Sequence, residues 1–143
     1  REMKFQYSPV FGVVNSRGKP VKRPMIELEF ATKDQGTLDA LGLIDSGADI
    51  TMINLQYAAV LGIDLDFSKT KDILGVGQGR IKVYPSTIRF KIKRMQEEIE
   101  VPVCFVDSEN VDILLGQEVF FDTYRIKFEK DHDAFELIPS KKS

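Results

Sequence analysis

The stretch Leu41-Gly42-Leu43-Ile44-Asp45-Ser46-Gly47-Ala48-Asp49-Ile50-Thr51-Met52-Ile53 sets the terms for the rest of the chain. Two apolar runs, Leu43-Ile44 and Ile50 to Ile53, flank a tight polar turn with one carboxylate, one hydroxyl and a glycine. Short apolar runs rich in Ile read as strand ends buried in a core. Burying both strands would hold Asp45 in a fixed, partly desolvated position. That is unfavourable for an ionised carboxylate unless hydrogen bonds or an opposite charge compensate. Asp-Ser-Gly is also ordinary turn chemistry, with Asp and Ser bonding nearby backbone and Gly accepting positive φ. The tripeptide alone leaves both readings open.

The remainder of the sequence narrows the classes. A chain of 143 residues is one domain, long enough to bury a core. With 43% hydrophobic and 29% charged residues, it is expected to be soluble and globular rather than disordered. Twenty basic against 22 acidic side chains leave no excess suited to a nucleic-acid backbone or an anionic membrane surface. No apolar run approaches the roughly 20 residues of a membrane span, so no membrane contact is expected from this segment. The segment could still belong to a longer, membrane-anchored parent. Cys104 is the only cysteine, which excludes an internal disulfide and fits a reducing, cytoplasmic compartment. It lies in the run Val101 to Val106 and reads as a buried structural thiol. His132 is also alone, in the polar turn Lys130 to Asp133, and reads as exposed. One His and one Cys make a conventional zinc site implausible, and no cofactor is implied.

Along the chain, residues 3 to 14 form an irregular, strand-like opening, and Asn15 to Gly18 make a turn. Ile26, Leu28 and Phe30 alternate with Glu27 and Glu29, the pattern of a half-buried strand. Lys33 to Gly36 is a hairpin turn into the strand Leu38 to Ile44, which delivers Asp45. A helix follows, with Asn54 as its cap, an apolar face of Leu55, Ala58, Ala59 and Leu61, and Gly62 as its stop. Asp64 to Lys71 is a polar linker with Leu65 and Phe67 tucked in. Thr87 to Ile92 and Ile99 to Phe105 are two further strands, and the mixed charges from Arg89 to Glu100 are the solvated face of that hairpin. Val111 to Phe121 reads as running into one short helix. Tyr124 to Phe128 and Phe135 to Ile138 close with a last hairpin. About ten strands against one good helix and one short one make the domain mainly β.

Between Ile73 and Tyr84, three glycines at alternate positions (Gly75, Gly77, Gly79) sit between two strand-like arms. This is not a phosphate loop, because the Gly-Lys-Ser/Thr ending is missing. It is not a dinucleotide fingerprint either, since the spacing is wrong and no helix pattern follows. Two readings remain: a glycine-rich surface hairpin, or a mobile lid whose exposed backbone can bind a ligand.

Three stretches, in order, resemble the retropepsins, the retroviral-type aspartic proteases. They are Leu43-Ile44-Asp45-Ser46-Gly47-Ala48-Asp49, the Gly75 to Val83 hairpin, and Ile113-Leu114-Leu115-Gly116. In that family they are the catalytic loop, the flap, and the apolar-apolar-Gly element packed beneath the loop. The helix after the loop is more similar to retrotransposon and cellular relatives than to compact viral enzymes. The resemblance implies a closed β-barrel over residues 24–138, preceded by an N-terminal extension (1–23) and followed by a polar tail (139–143).

It further implies an aspartic endopeptidase acting on extended polypeptides. Because the chain holds a single Asp-Ser/Thr-Gly, the enzyme would be a homodimer with one Asp45 from each subunit. Ser46 would hydrogen-bond across the dimer, Gly47 and Ala48 would let substrate approach, and Asp49 would bind its main chain. Val76, Gly77, Gln78 and Gly79 would close over the peptide as an added strand. The alternative is a catalytically idle dimer that binds or assembles peptides. Two departures stand out. Viral enzymes commonly place an arginine after the final glycine to pair with the loop's second Asp, whereas here Gln117-Glu118 follow and Asp49 needs another partner. The first twenty or so residues also lack a clear viral counterpart.

Pepsin-like loops often carry Ser or Thr where this chain has Ala48. A missing hydroxyl removes a donor that favours the ionised carboxylate. Activity is therefore expected in mild rather than strong acid. A pH–rate profile should peak above about pH 4, and a maximum below that would contradict the reading.

Overall fold

The computed structural model describes residues 2–75 and 78–141. Its body is a barrel whose strands alternate as the sequence suggests. In β4 (Met25–Ala31), Ile26, Leu28 and Phe30 point inward and are buried, while Glu27 and Glu29 face out. In β9 (Glu98–Val106), Ile99, Val101, Val103 and Phe105 do the same. Side chains of a strand alternate between faces, so apolar residues at every second position bury one face of the sheet.

The remaining barrel strands are β5 (Thr37–Ile44), β6 (Thr51–Asn54), the long β8 (Gln78–Ile92) and β10 (Ile113–Leu115). Their hydrogen-bonded order is β4-β5-β10-β6-β9-β8, and β8 returns to β4 through Leu28–Ile92 and Glu29–Lys91, closing six strands into a ring. Closure removes the open edges a sheet would otherwise present. Between β6 and β8 the chain runs through α1 (Gln56–Leu61) and β7 (Lys71–Gly75), the latter pairing with β8 outside the ring. Phe30, Phe90, Phe105 and Phe120 are almost wholly buried, and the Phe120 ring packs tilted or edge-on, at 5.4–6.4 Å between centroids, against Phe90, Phe121 and Tyr124.

The chain ends join in a smaller sheet. β1 (Met3–Gln6) pairs with β12 (Ala134–Pro139), which also pairs with β11 (Tyr124–Glu129). Phe135 and Leu137 of β12 point into the common core. Residues 3 to 14, read from sequence as one irregular opening, are thus two strands with different partners. The second, β2 (Ser8–Val14), pairs only with β3 (Pro20–Arg23).

Three local expectations are corrected. The segment 111–121 is not one helix: Ile113–Leu115 is a strand, and only Gln117–Phe121 coils. Within that coil Glu118 is extended and Val119 has φ of 68°, so the turn is irregular. Phe67 is not tucked in but lies 68% exposed, edge-on to the Tyr84 ring at 5.3 Å, because its 3₁₀ turn sits outside the barrel wall. In α1 only Ala58 is fully buried; Tyr57 and Leu61 pack half-buried on the core, while Ala59 faces solvent instead of joining the apolar face. Asn54 does serve this helix, accepting from the Gln56 N–H at 2.9 Å. Its amide also donates to the Ser108 and Val111 carbonyls, and Gly62 ends the helix at φ of 69°.

Phe120 fills the space between the barrel and the closing hairpin. Phe120→Ala is expected to lower unfolding free energy by about 3–5 kcal/mol in urea titration, with the fold retained.

Candidate active site

Asp45 stands where β5 ends. The chain turns through Ser46 to Ile50 and re-enters the barrel as β6, but β5 and β6 do not pair with each other. The three residues of β10 lie between them, parallel to β5 (Leu114–Leu43, Leu115–Ile44) and antiparallel to β6 (Ile113–Ile53, Leu114–Met52). The loop therefore spans a strand that arrives some 60 residues later in the chain, and both its ends are held by buried strands.

Hydrogen bonds set the loop's shape. The Asp45 N–H donates to the Leu115 carbonyl at 3.0 Å, and its own carbonyl accepts from Ala48 N–H at 3.2 Å. Carboxylate Oδ1 accepts from the Gly47 N–H at 2.9 Å. A Cβ on residue 47 would stand 3.2 Å from that oxygen, so glycine keeps the approach open. Asp45 is half-buried, and Ser46, Gly47 and Asp49 are exposed. The carboxylate is thus oriented by backbone while one side of it faces out of the chain.

The segment after β10 completes the support. Gly116 N–H donates to the hydroxyl of Thr51, which is wholly buried, at 3.1 Å. Gln117 N–H donates to the Ala48 carbonyl (2.8 Å) and Glu118 N–H to the Asp49 carbonyl (2.9 Å). The Gln117 side-chain amide reaches the Ser46 carbonyl at 2.8 Å. Gln117 therefore grips the loop's backbone rather than the Asp49 carboxylate. Among the described residues no hydrogen bond or ion pair reaches that carboxylate. Gly116 has no room for a side chain, since a Cβ would lie 2.5 Å from the Ile50 carbonyl group and 2.8 Å from Ala48 O.

Strand register brings together a further set that sequence reading passed over. Met25, Leu43, Leu114, Met52, Cys104 and Pro85 are direct neighbours from strand to strand, all half-buried on the outer face of the wall. They make an apolar row that passes, at Leu43, two residues before Asp45. Cys104, expected to be buried, is only half so. Burial nonetheless pushes its thiol up, with Lys71 opposing and Glu118 reinforcing, so it stays protonated rather than nucleophilic. His132 is exposed beside Asp131, as expected from its polar turn.

β7 and β8 form the hairpin expected at 75–83, in register from Lys71–Val83 to Leu74–Arg80 and then, after a shift, Gly75–Gln78. Gly79 has open space around it. Val76, Gly77 and the Gln78 side chain lie outside the described residues.

Over residues 35–121, more than half of the chain and including both the loop and its support, the sequence matches the family described as "gag-polyprotein putative aspartyl protease". The chain belongs to the retropepsin-like aspartic protease family. Two solved structures share the fold. The first is a retropepsin-like aspartic protease from Rickettsia conorii, 19% identical, covering 96% of this chain and 98% of that one with a TM-score of 0.60. The second is the retroviral protease-like domain of Ddi1 from Leishmania major, 15% identical, covering 86% and 99%, with a TM-score of 0.51. No match was found among curated proteins.

The contact at Gly116 is with backbone, which cannot swing aside. Gly116→Ala should push the 45–51 loop away from its support, destabilising the fold by about 1–3 kcal/mol and abolishing any activity of Asp45. Unchanged stability in calorimetry would contradict the geometry.

Proposed function

We propose that the chain is an aspartic endopeptidase that cleaves extended polypeptides with a dyad made of Asp45 from each subunit of a homodimer. The observation that carries this reading is the half-buried Asp45 carboxylate, fixed by the Gly47 N–H on a loop held from two sides, yet open on one face. One chain provides one such group, and the chemistry needs two.

In the proposed site the two carboxylates flank one water. Closely placed like charges do not both ionise, as is general for aspartic proteases, so the pair shares a proton. The ionised member takes the water's proton while the protonated one polarises the scissile carbonyl. The water adds to the carbonyl carbon, and collapse of the tetrahedral adduct expels the amine with a proton from the dyad. No covalent intermediate forms. Ser46 would bond across the two-fold axis, Gly47 and Ala48 leave space for the peptide, and the Asp49 carboxylate accepts its backbone N–H groups. The β7–β8 hairpin with Val76 to Gly79 closes from above, adding the peptide as a strand. The apolar row from Leu43 through Leu114 and Met52 supplies a wall for apolar side chains flanking the cut. No cofactor takes part. A reducing intracellular compartment belongs to the same proposal, on the strength of the single Cys104. Among the described residues no helix is long and apolar enough to cross a membrane.

Incubation with casein or a peptide library should give cleavage that a statine-type inhibitor blocks. Asp45→Asn should lower kcat by about 10²–10⁴-fold or more without unfolding the protein. Cleavage untouched by that substitution would refute the assignment. A wild-type dimer that binds peptide but never cuts it would instead favour the idle binding module.

A further inference from the structure

We propose that the β2–β3 hairpin is an arm that closes over a second copy of this chain and seats Phe11 on it. The proposal rests on the homodimer reading above and adds to it the element that holds the copies together.

The hairpin is built with care, yet its outer part, residues 11–20, is exposed throughout. Two-stranded hairpins are marginal in water unless something packs on them. This one pairs with no other strand, and from Phe11 to Val14 every residue of β2 is exposed. Phe11 is fully exposed, with Val14 at 61% and Val13 at 38%. Its turn is nonetheless well made. Asn15 Oδ1 accepts from the Arg17 and Lys19 N–H groups, and Gly18 N–H returns to the Asn15 carbonyl. At Gly12 the backbone takes φ of +75°, in a stretch where the pairing register shifts between Pro9 and Val14. An ordered hairpin with contiguous bare apolar groups is the signature of a surface meant to be covered.

Its root lies at the catalytic end of the barrel. Tyr7 N–H donates to Asp133 O (2.7 Å), Lys22 Nζ pairs with the Asp133 carboxylate (3.2 Å), and the Pro24 carbonyl accepts from Ile44 N–H, one residue before Asp45. A copy brought up to that end, as a shared dyad requires, comes within the arm's neighbourhood.

Charge identifies the occupant. Residues 3–26 carry five basic side chains and no acidic one, and four of the five (Arg17, Lys19, Lys22, Arg23) are on the hairpin. Residues 95–124 carry eight acidic side chains and no Lys, Arg or His. Among the described residues no ion pair joins these two stretches within the chain; Glu98 and Glu100 pair with Arg89 instead. Exposed Glu118, together with Asp49, puts two of the chain's carboxylates beside the loop. A net charge of only −2 thus conceals a basic arm, and at the same end of the barrel as its root a second copy presents Glu118 as an acidic complement, whereas Asp107, Glu109 and Asp112 lie at the α1 end.

The chain contains no tryptophan, so Phe11→Trp introduces a single reporter at an exposed position. Its emission should move to shorter wavelength and resist acrylamide quenching in step with dimer formation followed by sedimentation. Phe11→Ser should raise the dimer Kd by about tenfold or more while leaving the circular dichroism of the chain unchanged. Arg17→Glu combined with Lys19→Glu should weaken the dimer likewise. An indole that stays exposed while dimers form, or Phe11→Ser dimers as tight as wild type, would overturn the arm. Burial of the indole only on adding an acidic peptide or anionic vesicles, with the protein monomeric, would overturn it too. The dyad is tested separately: Asp45→Asn should dimerise normally and fail to cleave, so either reading can fall alone.

Discussion

Five hydrogen bonds between the 45–51 loop and the segment 115–118 are the constraint on which this molecule depends. Each contributes only about 0.5–1.5 kcal/mol net, so their importance is positional rather than energetic. They hold a polar turn, whose local chemistry would allow many shapes, against the end of the strand that pairs between β5 and β6. The arrangement works because Gly116 has no side chain, which lets two backbones approach to a distance no other residue permits. The barrel supplies the second half of the constraint: Ile44, Ile53, Ile113 and Leu115 anchor the strands that enter and leave the contact.

Around that contact the chain has the character of one half of something. Asp45 is held on its inner side and open on its outer side. The Asp49 carboxylate is presented without a partner among the described residues. An apolar row runs along the outer wall next to the loop, and a basic hairpin with a bare phenylalanine extends from the same end. Each of these would be a liability for a lone chain, since exposed apolar clusters invite association. In the proposed enzyme a second copy and an extended peptide would complete the surface.

The sequence made the loop legible because its chemistry is local: a glycine two residues after an aspartate, between apolar runs. Strands such as Met25–Ala31 and Glu98–Val106 were legible for a similar reason, their alternation being complete within one segment. β10 was not. Ile113-Leu114-Leu115 has no alternation to display, and its strand character comes from the gap between β5 and β6 that receives it. Phe67 misled because an isolated aromatic in a polar linker reads as buried, whereas its ring leans on Tyr84 from outside. Gln117 was visible as a departure from the viral arginine, but its grip on Ser46 O is a tertiary contact that spacing does not encode. The row from Met25 to Pro85 was hidden more deeply, since it crosses six strands and only register aligns it.

The central claim is that one working site requires two chains, and subunit mixing tests it most directly. Wild-type protein is held at fixed concentration while increasing amounts of Asp45→Asn are added and allowed to exchange. If two aspartates from two copies form the site, activity per wild-type chain falls toward zero as mixed dimers with a single Asp45 take up the wild-type subunits. Activity that stays constant at a large excess of the variant would show that one chain acts alone and would contradict the account.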